Sequence, residues 1–282
     1  MRIDGKAIAA EVVHEIKSLV HALPGRKPGL AFVLVGADPA SEIYVRAKKK
    51  ACTETGMHSV LVQLPSTIAE SDVLAQIQKL NLDPSIDGIL VQLPLPPHIN
   101  PQIVTASVDP RKDVDGFHPI NVGKMLLGDE TAFVPCTPHG IVVLLQKSNT
   151  VVEGKHVVIL GRSNIVGKPL AALLMQKKPG CNATVTVCHS KSDHLVQLTK
   201  TADVLVAAMG NPKLVKASMV KPGAVVIDVG INRVDGKVVG DVDFDEVEKV
   251  ASKITPVPGG VGPMTIAMLL KNTWLSYQRK HA

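Results

Sequence analysis

Ser41, Tyr44 and Lys48 recur at i, i+3 and i+7 of a segment that reads as helix, so the three share one face with Tyr44 and Lys48 a turn apart. A lysine exchanges protons near neutral pH only where burial or neighbouring donors lower its pKa. Gln92 is a candidate neighbour, because it interrupts an apolar run, 89–93, at the C-terminal end of a parallel strand, the edge where such sheets bind ligands. Asp113-Val114-Asp115-Gly116 then sets two carboxylates beside a glycine turn. Each feature also has a plain reading. Lys48-Lys49-Lys50 suits a solvated helix face, Gln92 an exposed strand end, and the aspartates an ordinary loop.

A second constellation lies further along. Gly161-Arg162-Ser163-Asn164-Ile165-Val166-Gly167 joins a strand to a helix, where a dinucleotide pyrophosphate can sit on backbone N–H groups at the helix N-terminus. The pattern is G-x-S-x-x-x-G, so the usual fingerprint is broken at its second glycine, and a tight turn without ligand fits it equally well. The next strand ends Cys188-His189-Ser190-Lys191, without the carboxylate that would hold an NAD ribose. Ser190, Lys191 and Arg162 instead offer three donors, which favours a phosphate on that ribose and hence NADP. Lys191 also fits a solvated surface position.

The elements that must position these residues follow from apolar runs of strand length alternating with helical periodicity. Strands are expected over 30–35, 58–64 and 89–93, with helices from Asp38-Pro39 to Gly56 and, opened by a Thr67-x-x-Glu70 capping box, to about Asn81. After a turn-rich stretch, 109–138, strands are expected over 156–160, 183–188, 203–207 and 224–229, with helices over 167–177, 192–201 and 264–279. This is an α/β chain of two lobes, the second a Rossmann-type dinucleotide-binding domain. Residues 1–120 are expected in the first lobe, 138–260 in the second, with the last helix, 263–282, packing back on the first.

Composition narrows the class. The 282 residues are 45% apolar and 20% charged, globular usage, with a formal net charge of +6 that suits anionic ligands. Apolar runs such as 204–209 are far short of a membrane span, and Asp4, Lys6 and Glu11 interrupt the N-terminus, so neither a membrane helix nor a secretory signal is expected. Cys52, Cys136, Cys181 and Cys188 lack C-x-x-C spacing, which predicts a reducing cytoplasm. Cys136, with no activating base identifiable, reads as a buried structural cysteine. The ten histidines show no metal-ligand spacing, so no metal is expected. The four Phe, two Tyr and one Trp are too few for a base-stacking nucleic-acid platform.

In order along the chain, S-x-x-Y-x-x-x-K (41–48), DGILVQLPLP (87–96), KDVDGF (112–117), PCTP (135–138), GRSxxVGxP (161–169) and TPVPGGVGPMT (255–265) resemble the bifunctional methylenetetrahydrofolate dehydrogenase/methenyltetrahydrofolate cyclohydrolase family. The resemblance covers nearly the whole chain. It implies two reactions at one cleft between the lobes: NADP-dependent oxidation of methylenetetrahydrofolate to the methenyl cation, then hydrolysis to formyltetrahydrofolate, in one-carbon metabolism and purine biosynthesis. By position it makes Lys48 the key catalytic lysine, Tyr44 a group packing on the folate, Gln92 the partner of Lys48, and Asp115 the ligand of the pterin edge. Gly161, Arg162, Ser163 and Ser190 are implied to hold the cofactor, Ile231 to lie beside it, and Pro258 and Gly259 to wall the folate pocket. The implied partners are tetrahydrofolate derivatives and a second copy of the chain in a homodimer, with no nucleic acid and no membrane. An alternative is another two-lobe NADP dehydrogenase acting on a hydroxy acid or a shikimate-like substrate, which leaves the 257–265 block unexplained. A basic nucleic-acid-binding module is the non-enzyme alternative, against which stand dispersed charges and the lack of a recognised motif.

Overall fold

The protein is described here by a computed structural model covering residues 1–281. It forms two compact units, one of residues 11–136 with 266–281, the other of residues 1–10 with 137–265. No helix is long and apolar enough to cross a membrane among the described residues.

Helix α1 (Gly5–His21) opens the chain, and β1 (Gly29–Val35) follows with all seven residues buried. A strand covered on both faces has no polar alternation, which is why it reads as one apolar run. Helix α2 (Pro39–Thr55) starts where the Asp38 carboxylate accepts from Ser41 N at 2.8 Å and ends at Gly56, whose φ of 78° needs no Cβ. Next come β2 (His58–Leu64), α3 (Glu70–Leu82) and β3 (Gly88–Val91), giving a parallel sheet in the order β2-β1-β3. The Thr67 capping box does not form. Ala69 occupies the cap of α3 without a side-chain bond, and the Glu70 carboxylate accepts from Asn100 N at 2.6 Å, so a distant partner displaces the local one.

Two short helices, α4 (Pro101–Ala106) and α5 (Pro119–Leu126), precede α6 (Cys136–Lys147). The stretch expected as turns, 109–138, thus contains α5 and the start of α6. Pro119 stands in the first turn of α5, where a missing N–H costs nothing. The core beside this sheet is built from Ala31, Val33, Ile77, Ile89 and Val104, all essentially inaccessible.

The other unit runs β4 (His156–Leu160), α7 (Gly167–Leu174), β5 (Thr184–Cys188), α8 (Leu195–Thr199), β6 (Val204–Ala207) and β7 (Val225–Asp228). A hairpin of β8 (Asn232–Val234) and β9 (Lys237–Val239), then α9 (Phe244–Val247), β10 (Lys253–Ile254) and α10 (Val261–His281), complete the chain. The sheet is parallel throughout, in the order β10-β7-β6-β4-β5. Strand β4 has β5 on one side and β6 on the other, so the loop after β4 emerges where the strand order reverses. Open α/β sheets bind ligands at that switch point.

Candidate active site

In the first unit the structure brings Lys48, Gln92, Asp115 and Cys136 together. Lys48, half-buried on the third turn of α2, donates from Nζ to Gln92 Oε1 at 3.0 Å. Two bonds hold Gln92 in that pose. Its backbone N–H donates to Val33 O at 2.9 Å, one residue past the end of β3, and its Nε2 donates to Leu93 O at 2.6 Å. With Nε2 committed, Oε1 is the amide atom turned to the lysine. Tyr44 stands one turn before Lys48 and is 37% exposed.

The two aspartates have separate tasks. Asp113 is 4% exposed and organises the loop, accepting from Gly116 N at 3.1 Å, Phe117 N at 3.2 Å, His118 N at 2.8 Å and Asn121 Nδ2 at 2.8 Å. Asp113 also bridges to Ile89 of β3, with Ile89 N donating to Lys112 O at 2.8 Å, which lays the loop along the strand that ends at Gln92. Asp115 lies beside Lys48 and Cys136 instead. Burial pushes it up to about 6; the Lys48 ammonium opposes that rise, and the Asp113 charge adds to it.

Cys136 is buried, with its thiol directed at Val114 O at 3.3 Å and lying beside the Asp115 carboxylate. Burial and then Asp115 push the thiol well above the ordinary range, which keeps it protonated and poor as a nucleophile. Asn272 of α10, absent from the residues singled out above, is 1% exposed and donates to Val114 O at 2.8 Å and Val134 O at 3.0 Å. It ties the residue before Asp115 to the segment before Cys136. Its neighbours Lys271 and Thr273 are polar too, so no local pattern marks it.

In the other unit, the 161–167 turn sits at the switch point. Gly161 has φ 117° and packs so closely that a Cβ there would collide with Ala208 O, while one on Gly167 would collide with Gly161 O. Gly161 N donates to Cys188 O at 2.8 Å, and the register pairs Leu160 with Cys188. Arg162 and Ser190 therefore each lie two residues beyond the last strand pair, and both are exposed, as is Ser163. Ser163 Oγ accepts from Val166 N at 3.1 Å, so its hydroxyl hydrogen is free to turn outward. A backbone this close to its neighbours, opening into α7 and flanked by a guanidinium and two hydroxyls, fits a phosphorylated dinucleotide. Ile231 stands 48% exposed after β7. Pro258 is exposed and Gly259 adopts φ 106°, in the loop before α10.

Residues 3–115 match the catalytic-domain model, and residues 135–281 the NAD(P)-binding-domain model, of the tetrahydrofolate dehydrogenase/cyclohydrolase family. The chain belongs to that family. It is 57% identical over 273 residues to the bifunctional protein FolD of Halalkalibacterium halodurans, covering 96% of each. The crystal structure of the bifunctional enzyme FolD from Campylobacter jejuni superposes with TM-score 0.96 at 50% identity over 99% of both chains. The Trypanosoma brucei FolD, solved with NADP cofactor and inhibitor, gives TM-score 0.94 at 39% identity over 100% of this chain and 98% of that one. The hydroxy-acid or shikimate-like alternative is not favoured, since both units match models of the folate family.

Proposed function

We propose that the protein oxidises methylenetetrahydrofolate to methenyltetrahydrofolate with NADP⁺ and then hydrolyses that product to formyltetrahydrofolate. The observation that carries the reading is the Lys48 Nζ–Gln92 Oε1 bond of 3.0 Å beside Asp115, in the unit matched by the family's catalytic-domain model. Bound NADP⁺ supplies the acceptor for the hydride leaving the one-carbon bridge. That step releases no proton, so the dehydrogenase reaction asks for orientation more than for acid–base help. Hydrolysis differs. Water adds to the methenyl carbon, loses a proton, and the ring nitrogen must regain one as the carbon–nitrogen bond breaks. Lys48 is the proton carrier in this reading, and Gln92 keeps its ammonium aimed without adding a second charge.

Asp115 accepts hydrogen bonds from the pterin edge, and Tyr44 packs against the folate. Pro258 and Gly259 line the folate pocket. Gly161, Arg162, Ser163 and Ser190 hold the cofactor phosphates, with Ile231 beside the cofactor. The active form is a cytoplasmic homodimer acting on tetrahydrofolate derivatives, with neither nucleic acid nor membrane as partner; four buried, unpaired cysteines support a reducing compartment.

The test is spectroscopic. Purified protein is mixed with methylenetetrahydrofolate and NADP⁺ or NAD⁺ while reduced cofactor and methenyl absorbance are followed together. NADP⁺-dependent reduction with no build-up of the methenyl signal is expected, and absence of reduction with either cofactor would overturn the proposal.

A further inference from the structure

Two buried carboxylates in the second unit are not used by the site above. Asp241 is fully inaccessible and Asp228 is 3% exposed. Asp241 Oδ2 accepts from Met209 N at 2.6 Å and Gly210 N at 2.8 Å, while Oδ1 accepts from Asn232 Nδ2 at 2.8 Å. Asp228 accepts from Gly230 N at 3.0 Å, Asp241 N at 2.9 Å and Val242 N at 3.0 Å. Both carboxylates are packed hard against backbone: a Cβ on Gly230 would collide with Asp241 Oδ1, and one on Gly240 with Asp228 Oδ2.

All six donors are neutral N–H groups, so two like charges are buried side by side without a cation among these partners. The strain registers on Asp228, which burial, and then the Asp241 charge, push up to about 6. An amide at 241 would be gentler electrostatically, yet it would turn an N–H₂ toward a donor. A carboxylate satisfies Met209, Gly210 and the Asn232 amide in its present pose with no donor facing a donor.

Those donors share a location. Met209 and Gly210 follow β6, Asn232 follows β7, and both segments sit at the C-terminal edge of the sheet. Ala208, next to Met209, is the residue against which Gly161 packs, and Ile231, next to Asn232, is exposed at the same edge. We propose that Asp241 is a positioning residue for the nicotinamide cofactor, fixing the 208–211 and 230–232 segments as two walls of its site. The inference rests on the cofactor reading above.

The test compares wild type with Asp241→Asn by amide hydrogen exchange of the free protein and by calorimetric titration with NADP⁺. Bonds to a charged acceptor support a loss of roughly tenfold to a hundredfold when they are broken. Exchange at Met209 and Gly210 is expected to accelerate by that order, and the NADP⁺ dissociation constant to rise about tenfold. In steady state the KM for NADP⁺ rises while kcat at saturating cofactor stays within about threefold, because the chemistry itself is untouched. Should Asp241→Asn fail to fold, Asn232→Ala removes one arm of the same clamp and is expected to raise the NADP⁺ dissociation constant about threefold. Unchanged NADP⁺ affinity in a folded variant would overturn the positioning role, whether or not exchange accelerates. Wild-type protein that binds no NADP⁺ would overturn the cofactor reading and this inference with it.

Discussion

Replacing Lys48 by methionine separates the two proposed reactions. Methionine keeps the length and helix preference of the side chain and deletes the ammonium. The bond lost is the 3.0 Å contact to Gln92, which is half-buried and can take a water instead. A bond from a charged donor contributes about 1.5–3 kcal/mol, towards the lower end where it is half-exposed to water, so the variant is expected to fold. A positioned proton carrier is worth about 10²–10⁴ in rate, or about 3–5 kcal/mol of barrier, and hydrolysis loses all of it. Hydride transfer moves no proton and is expected to slow by about tenfold or less, through poorer orientation. The Asp115 carboxyl should titrate above about 6, since the charge opposing its rise has gone. In the coupled assay, reduced cofactor still forms while the methenyl absorbance accumulates. Hydrolysis within about threefold of wild type, in a variant with normal circular dichroism and melting, would refute the role of Lys48. Equal collapse of both activities would make it a binding group instead.

Four further outcomes are expected. Gln92→Glu sets a carboxylate against the Lys48 ammonium and holds the proton there; hydrolysis is expected to fall about a hundredfold in the cyclohydrolase assay, more than the dehydrogenase rate. Asp115, pushed up to about 6, loses its charge as pH falls through that value, so the KM for methylenetetrahydrofolate should rise by about tenfold per pH unit below it. Because the folded carboxyl holds its proton more tightly than the unfolded one, the stability cost is fully present above about 6 and relieved in acid; Asp115→Asn should stabilise the protein to urea by about 1–3 kcal/mol at pH 8 and by far less at pH 4. Asp87, 1% exposed, accepts from Arg26 Nη1 at 2.6 Å, Arg26 Nη2 at 2.9 Å and Gly29 N at 2.8 Å, so Asp87→Asn should cost about 3 kcal/mol in urea unfolding.

The legible part of this chain was whatever its local pattern decided. Strands β1, β4 and β6 are buried on both faces, so their apolar runs mark them within a residue or two. The Asp38-Pro39 start and Gly56 stop of α2 are local hydrogen-bond and φ requirements, and the helix that carries Lys48 followed from them. What escaped was decided at a distance. Thr67 and Glu70 have the spacing of a capping box, but Asn100, thirty residues on, takes the glutamate. Pro119 looks like a breaker until the first helical position is known to be its place. Cys136 reads as a structural thiol, and it is buried, yet its neighbour is the very carboxylate that titrates near 6. Asn272 and Asp241 act on backbone groups far away in sequence, and no periodicity announces that.

Asn272 and Ser276 have a consequence for how the chain is made. Ser276 Oγ donates to Asp87 O at 2.6 Å and Arg111 O at 2.8 Å, and Asn272 holds Val114 O and Val134 O. These donors are translated more than a hundred residues after the segments they secure, with a whole sheet unit, 137–265, in between. During vectorial synthesis the inserted unit has all its strands before the first unit receives its closing helix. The loop bearing Asp115 is therefore among the last parts of the molecule to be fixed, and a chain cut after residue 265 would hold every strand of the second sheet while that loop still lacked its clasp.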